Sequence, residues 1–150
     1  RFFRSLADRR PDPADQMFIA CLLRDEVALR FSAQSPMDQA HAVRTARAVA
    51  MAAPGRSDLV RAALLHDVGK THAGIGVAGR SCASLLAIAH LPLSRRMRAY
   101  LDHGVLGAAD LARAGEAGIV VAFAGAHHAV TAPPGADPED WAVLRRADDE

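Results

Sequence analysis

His66 and Asp67 stand side by side at the end of the apolar run Ala62-Ala63-Leu64-Leu65, with Val68-Gly69-Lys70 after them. Taking an imidazole and a carboxylate out of water behind two leucines costs on the order of several kcal/mol unless a partner satisfies both. A divalent metal ion does so at once. Five of the seven histidines fall with two aspartates into an ordered series: His41, His66-Asp67, His103, His127-His128 and Asp148. The intervals are 25 residues from 41 to 66, 36 from 67 to 103, 24 from 103 to 127 and 20 from 128 to 148. Each interval holds a helix and a turn, so the candidates fall at comparable places on successive helices and can converge inside a bundle. Several imidazoles with two carboxylates suit Fe, Mn, Zn or a similar borderline ion. A buried His–Asp hydrogen bond at a helix end would account for His66 and Asp67 alone, but it leaves the His127-His128 pair unexplained.

Other polar residues have two readings each. Lys70 lies three residues after Asp67, about one helical turn on, and can project beside the metals as a cation for a substrate phosphate. The alternative is a helix-terminal lysine that interacts with the helix dipole. His72 is close to the centre in sequence and is a weaker candidate for substrate contact, while His90, before Leu91-Pro92, reads as structural or exposed. Asp148 competes with Asp140 and Asp149. It is preferred because Leu144 and Asp148 share a helix face. Arg44 and Arg47 near His41 read as a solvated helix face rather than as anion ligands. Arg95-Arg96 and Arg145-Arg146 read as surface charge.

The elements that must position these side chains are helical. Alanine is abundant and β-branched residues are sparse, which favours helix throughout. Asp12 or Asp15 caps one helix running through Met17, Ile19, Leu22, Leu23, Val27 and Leu29. Ser35 caps a second, with Pro36 at its first position and His41 within it, and Pro54-Gly55 ends it. Ser57 caps a third, which carries Leu59, Val60, Ala63 and Leu64 to His66 and stops at Gly69. Gly74, Gly76 and Gly79 form a loop. No strand precedes them, so they are not a phosphate-binding fingerprint. Further helices run from about Arg80 to His90, from a Ser94 cap through Met97 and Tyr100, and through Val105 to Leu111. Ile119 to Ala126 reads as a buried helix ending at His127-His128, although its β-branching also suits a strand. Pro138 opens the last helix, to Asp148. The fold class is all-α.

Composition narrows the function. Of the 150 residues, 51% are apolar, 23% charged and 5% aromatic, with a net charge of +1. This is a globular composition, long enough for one domain with a sizeable core. No basic stripe indicates a nucleic-acid polymer as partner. The longest apolar run, Ala117 to Ala126, is too short to cross a bilayer, and no sustained apolar core follows Arg1-Phe2-Phe3-Arg4-Ser5-Leu6, so no signal peptide is expected. Cys21 and Cys82 read as buried free thiols in a reducing cytoplasm.

On the histidine–aspartate series the chain resembles the HD-domain metalloproteins, mostly phosphohydrolases, over roughly residues 36–150. Residues 1–35 then form an N-terminal extension with one helix packed on the HD domain. His41 looks like the first histidine of the family pattern, His66-Asp67 like the pair that names it, in the context His-Asp-Val-Gly-Lys, and Asp148 like its terminal aspartate. These four would hold one metal. His103, His127 and His128 are similar to the further ligands of the dinuclear branch, in which Asp67 would bridge two ions and help orient the nucleophile. Three departures stand out: Gly104 replaces the usual proline, Ala129 the frequent glutamate, and Thr131-Ala132-Pro133-Pro134-Gly135 stands where a GYP signature would lie. They point away from cyclic-dinucleotide hydrolysis of the HD-GYP type and towards small stand-alone HD proteins. The resemblance implies an HD-domain helical bundle, located in the cytoplasm, with one or two divalent transition-metal ions. Fe or Mn is favoured over Zn, Ni, Co or Mg. It implies hydrolysis of a small phosphorylated substrate, a nucleotide-type phosphoester, by metal-activated water, with Asp67 and Lys70 as catalytic residues. A di-iron oxygenase and a non-catalytic metal- or nucleotide-binding regulatory module are the alternatives.

Overall fold

A computed structural model of the chain describes residues 10–149, and the reading of Arg1 to Leu6 lies outside them. Nine α-helices and one 3₁₀ turn are found among the described residues, with no strand. They are α1 (Pro13–Leu22), α2 (Asp25–Ser32), α3 (Pro36–Ala52), α4 (Ser57–Leu65), the 3₁₀ turn Val68–His72, α5 (Val77–Ile88), α6 (Arg95–Leu101), α7 (His103–Arg113), α8 (Gly118–Ala126) and α9 (Pro138–Asp149). The fold is an all-α bundle, and Ile119 to Ala126 lies within helix α8.

Three of the expected caps form. Asp12 accepts from the Asp15 N–H at 2.8 Å, Ser35 from Asp38 at 3.2 Å and Ser94 from Met97 at 3.3 Å, each satisfying a donor that the first helical turn leaves orphaned. Ser57 does not cap. It is already helical, and Arg56 precedes it with no side-chain cap bond. Arg56 instead ties Asp58 to Asp140, at 2.9 and 2.7 Å.

Two expected helix extents are corrected. The single helix before residue 35 is two helices, because Leu23 turns to an extended conformation (φ −113°, ψ 139°). The break lets Leu23, Val27 and Phe31 enter the same core as the later helices, while α1 has no buried residue. The third helix stops at Leu65 rather than Gly69, and the chain tightens into the 3₁₀ turn. Gly69 is required for a different reason. A Cβ there would lie 1.9 Å from the His103 carbonyl oxygen and 2.6 Å from the Gly107 nitrogen, so this turn and α7 meet backbone to backbone.

Helix α4 is the centre of the bundle. Leu59, Val60, Ala62, Ala63, Leu64 and Leu65 are all buried, against α3, α8 and α9. Phe123 of α8 meets Trp141 of α9 edge to face at 5.3 Å, a geometry that suits two ring quadrupoles. Helix α5 packs mainly on α6. Ala83 is its one buried residue, and Leu85 and Ile88 face solvent. The cysteines correct a further expectation, since both are exposed: Cys21 on α1 and Cys82 on the outer side of α5.

A buried carboxylate fastens the 3₁₀ turn to α7 and α2. Asp110, 3% exposed, accepts from Arg30 at 2.7 Å, from Arg113 at 2.6 Å and pairs with His72 Nε2 at 2.7 Å. His72 therefore faces α7 rather than a substrate. Burial works against the Asp110 charge, but His72 and Arg30 outweigh it and hold its carboxyl below the usual range. Its stabilisation is thus fully present above the ordinary carboxylate pKa near about 4 and is lost as pH falls through the lowered folded value. Asp110→Ala is expected to cost about 2–3 kcal/mol in denaturant unfolding at neutral pH. That is less than for a fully buried pair, about 3–5 kcal/mol, because its partners Arg30, Arg113 and His72 are partly exposed and can rehydrate. A variant as stable as the parent would contradict it.

Candidate metal centre

The seven predicted ligands meet at one place. His41, His66 and Asp148 form one triad, and His103, His127 and His128 a second. His66, Asp67 and His127 form a third set that joins them, and within each set the ligand atoms lie within 4.8 Å of one another. His41 comes from the middle of α3, and Asp148 from the end of α9, on the same helix face as buried Leu144. His66 and His127 are the C-caps of α4 and α8, and His103 opens α7. Of the competing aspartates, Asp140 pairs with Arg56 on the surface at 2.7 Å, and Asp149 is exposed beside Arg145 at 3.2 Å.

Three of the imidazoles are aimed by one local device. His66, His103 and His127 each donate Nδ1–H to the carbonyl three residues earlier: Ala63 at 2.8 Å, Tyr100 at 2.6 Å and Ala124 at 3.2 Å. A carbonyl only accepts, so the bond assigns the proton to Nδ1 and turns Nε2 inward as a potential ligand. The helix ends provide these acceptors because their last carbonyls have no intrahelical partner.

The inward nitrogens gather around Asp67. Its Oδ1 lies 3.3 Å from His103 Nε2 and 3.6 Å from His127 Nε2, and its Oδ2 lies 3.4 Å from His66 Nε2. Asp67 is 1% exposed, and Oδ1 has no hydrogen-bond partner. His103 Nε2 and His127 Nε2 face each other at 3.4 Å. A buried carboxylate oxygen without a donor is costly, and the Nε2 lone pair of neutral His127, directed at it, increases that cost. A cation between them removes both penalties, so the donor set fits a divalent ion held by nitrogen and oxygen. Asp148 Oδ1 is shared by His41 at 3.0 Å and His66 at 3.2 Å. The centre is closed towards the core. It reaches solvent past His41, which is partly exposed, and past exposed His128.

Electrostatics follow from this crowding. Burial disfavours the His66 charge, but Asp67 and Asp148 outweigh burial and raise its pKa to about 10. Burial opposes ionisation of Asp67 as well, yet His66 and Lys70 keep it well below the ordinary range. His41 and His66 do the same for Asp148. Burial, with the His66 charge next, lowers His127 to about 3 and so keeps it neutral. An ion taken up at neutral pH must therefore displace the Nε2 proton of His66. Apparent metal affinity is expected to rise with pH, by up to about tenfold per unit below the His66 pKa. Chelator competition between about pH 6 and 8 measures this, and a flat profile would refute it.

Lys70 sits in the 3₁₀ turn with Nζ against Asp67 Oδ2, its side chain 17% exposed. Burial works against its charge, but Asp67 and then Asp38 raise its pKa. The ion pair with Asp67, rather than a helix dipole, thus accounts for its place. A rim that the sequence reading missed stands beside it. Asp38, buried near the start of α3, takes a bidentate Arg80 at 2.6 and 2.7 Å. The Arg80 guanidinium lies 5.9 Å from the Tyr100 ring, which stacks on His103 at 5.7 Å. The signal available was Asp38 at the third position of a capped helix, which reads as capping alone. His90 is exposed, with φ +54°. Arg44 and Arg47 are exposed, and Arg47 pairs with Asp15 at 2.7 Å. Arg96 donates to the Ala73 carbonyl at 3.0 Å, and Arg145 to the His127 carbonyl at 2.6 Å. Both arginines thus do more than carry surface charge. A cleft of about 680 Å³ lined by Cys21, Arg24, Asp25, Ser57, Arg61 and Glu116 includes none of the seven ligands.

Gly104, where the resemblance leads one to expect proline, has a packing reason. A Cβ there would lie 2.9 Å from the Gly125 carbonyl oxygen and 3.1 Å from that of Ala124. Helix α7 therefore approaches α8 too closely for a ring. Among the described residues, no helix is long and apolar enough to cross a membrane. In comparisons with protein-family models, curated proteins and solved structures, nothing matches this chain.

Proposed function

We propose that this chain is a metal-dependent phosphohydrolase of the HD superfamily, which cleaves a small nucleotide-type phosphoester with metal-activated water. The observation that carries the reading is Asp67 Oδ1, buried, without a hydrogen-bond partner and faced by inward-turned imidazoles. Divalent ions, Fe or Mn as the family resemblance implies, would supply the Lewis acidity that brings the pKa of a water towards neutrality for attack on phosphorus. His41, His66 and Asp148 would hold one ion and His103, His127 and His128 the other, with Asp67 spanning both. Lys70, held beside Asp67, would neutralise the charge that develops on the phosphoryl oxygens. A phosphoester would approach from the side of His41 and His128, the most solvent-exposed members of the set. A fixed cation beside the centre supports hydrolysis over oxygen chemistry.

The experiment is phosphate or nucleoside release from a nucleotide panel by protein loaded with Mn or Fe. Full activity in a His66→Ala, Asp67→Ala double variant would sink the proposal. Substrate-dependent oxygen uptake without phosphate release would replace it with the oxygenase, and metal-loaded protein that binds nucleotide without turnover with the regulatory module.

A further inference from the structure

Arg145 Nη1 donates to the backbone carbonyl of His127 at 2.6 Å, and Nη2 reaches Asp149 at 3.2 Å. Helix α8 ends at Ala126 with His127 as its C-cap, so that carbonyl has no continuing helix to bond. One turn earlier on α9, Trp141 Nε1 donates to the Ala129 carbonyl at 3.3 Å. Two side chains of one helix face thus grip the turn that carries His127 and His128. Asp148 of the opposite triad follows Arg145 by three residues on the same helix.

We infer that Arg145 is a positioning residue that holds His127 and His128 in register with Asp67, and so sets the affinity of the His103–His127–His128 triad for its ion. The inference rests on the two-ion reading above. His127 depends on its backbone more than the other two carbonyl-aimed histidines do. Its Nδ1 bond is 3.2 Å long, against 2.8 Å for His66 and 2.6 Å for His103. His128 is exposed, and its ring lies against His127 at 4.0 Å and His103 at 5.2 Å. Its direction therefore follows the turn. None of the first triad's ligands belongs to the gripped turn: they stand on α3, at the end of α4 and on α9.

The test titrates metal-free full chain with Mn(II), in the parent, Arg145→Gln and Arg145→Lys. The parent is expected to take two ions and give an exchange-coupled EPR signal at full loading. Arg145→Gln should keep one ion at parental affinity and weaken the second about tenfold or more, the range for loss of a group that supports a ligand. An isolated-ion signal then persists where the parent is coupled. Arg145→Lys still offers a donor to the His127 carbonyl and should recover much of the second affinity. Unchanged melting of the metal-free Gln variant completes the expected result. Two parental affinities in Arg145→Gln overturn the inference. So does equal loss of both ions with lowered melting of the metal-free protein, which would mark Arg145 as a general structural residue. A parent that takes one ion or none overturns the two-ion reading itself, and the inference with it.

Discussion

Asp67→Asn is expected to abolish binding of two ions, leaving at most one, held about a thousandfold more weakly than in the parent. The carboxylate joins one ligand of each triad, His66 and His127, in a third set, and the second triad contains no carboxylate of its own. Asparagine keeps the shape but removes the charge and directs an amide at nitrogens that need a cation between them. A thousandfold corresponds to about 4 kcal/mol, modest for a buried charge that faces divalent ions. The metal-free variant is affected too. Lys70 and His66 are drawn to Asp67 in the parent, so a drop of His66 from its raised pKa should accompany the substitution. Metal stoichiometry by elemental analysis, with NMR titration of His66, reads both effects. Two ions bound at parental affinity would remove Asp67 from the centre.

Gly69→Ala is expected to cost about 3 kcal/mol or more, because one methyl would have to displace backbone rather than a flexible side chain. The His103 carbonyl oxygen would lie 1.9 Å from it. Relief requires the 3₁₀ turn and α7 to part. The turn follows directly from Asp67, and His103 is the first residue of α7. Stability and metal affinity should therefore fall together. A melting temperature lower by about 10 °C, with weakened uptake of metal at temperatures where the variant is folded, is the expected pair of results. Parental values of both would show that the seam tolerates a side chain.

The helical class and the convergence of the seven candidate ligands were legible because each polar residue interrupts an apolar pattern at a helix end or on a buried face. His66, His103 and His127 all adjoin helix termini, where the sequence also changes character. Asp110 was not legible. It sits between Ala109 and Leu111 with nothing in its neighbourhood to distinguish it, and its partners come from residues 30, 72 and 113. Arg145 was misread for the same reason, since its partner is a distant backbone carbonyl, in the turn that ends α8. The break at Leu23 runs against local propensity. It is explained only by the core that Leu23, Val27 and Phe31 join. The thiols failed on the opposite ground: Cys21 and Cys82 lie among apolar neighbours on helices that leave those faces to solvent.

The helix ends that aim the imidazoles have a second effect, set by the direction of the chain. Helices α4 and α8 both finish at the centre, so the negative poles of two macrodipoles point into the space that Asp67 and Asp148 occupy. Lys70 and a charged His66 offset the two carboxylates, and the start of α7 at His103 brings one positive pole against the two negative ones. The balance still favours a cation over an anion such as the proposed phosphoester. On the proposed function, ions would bind first and so make the potential favourable to a phosphate. A protein wired in this order would respond to the supply of its metal before it responded to its substrate.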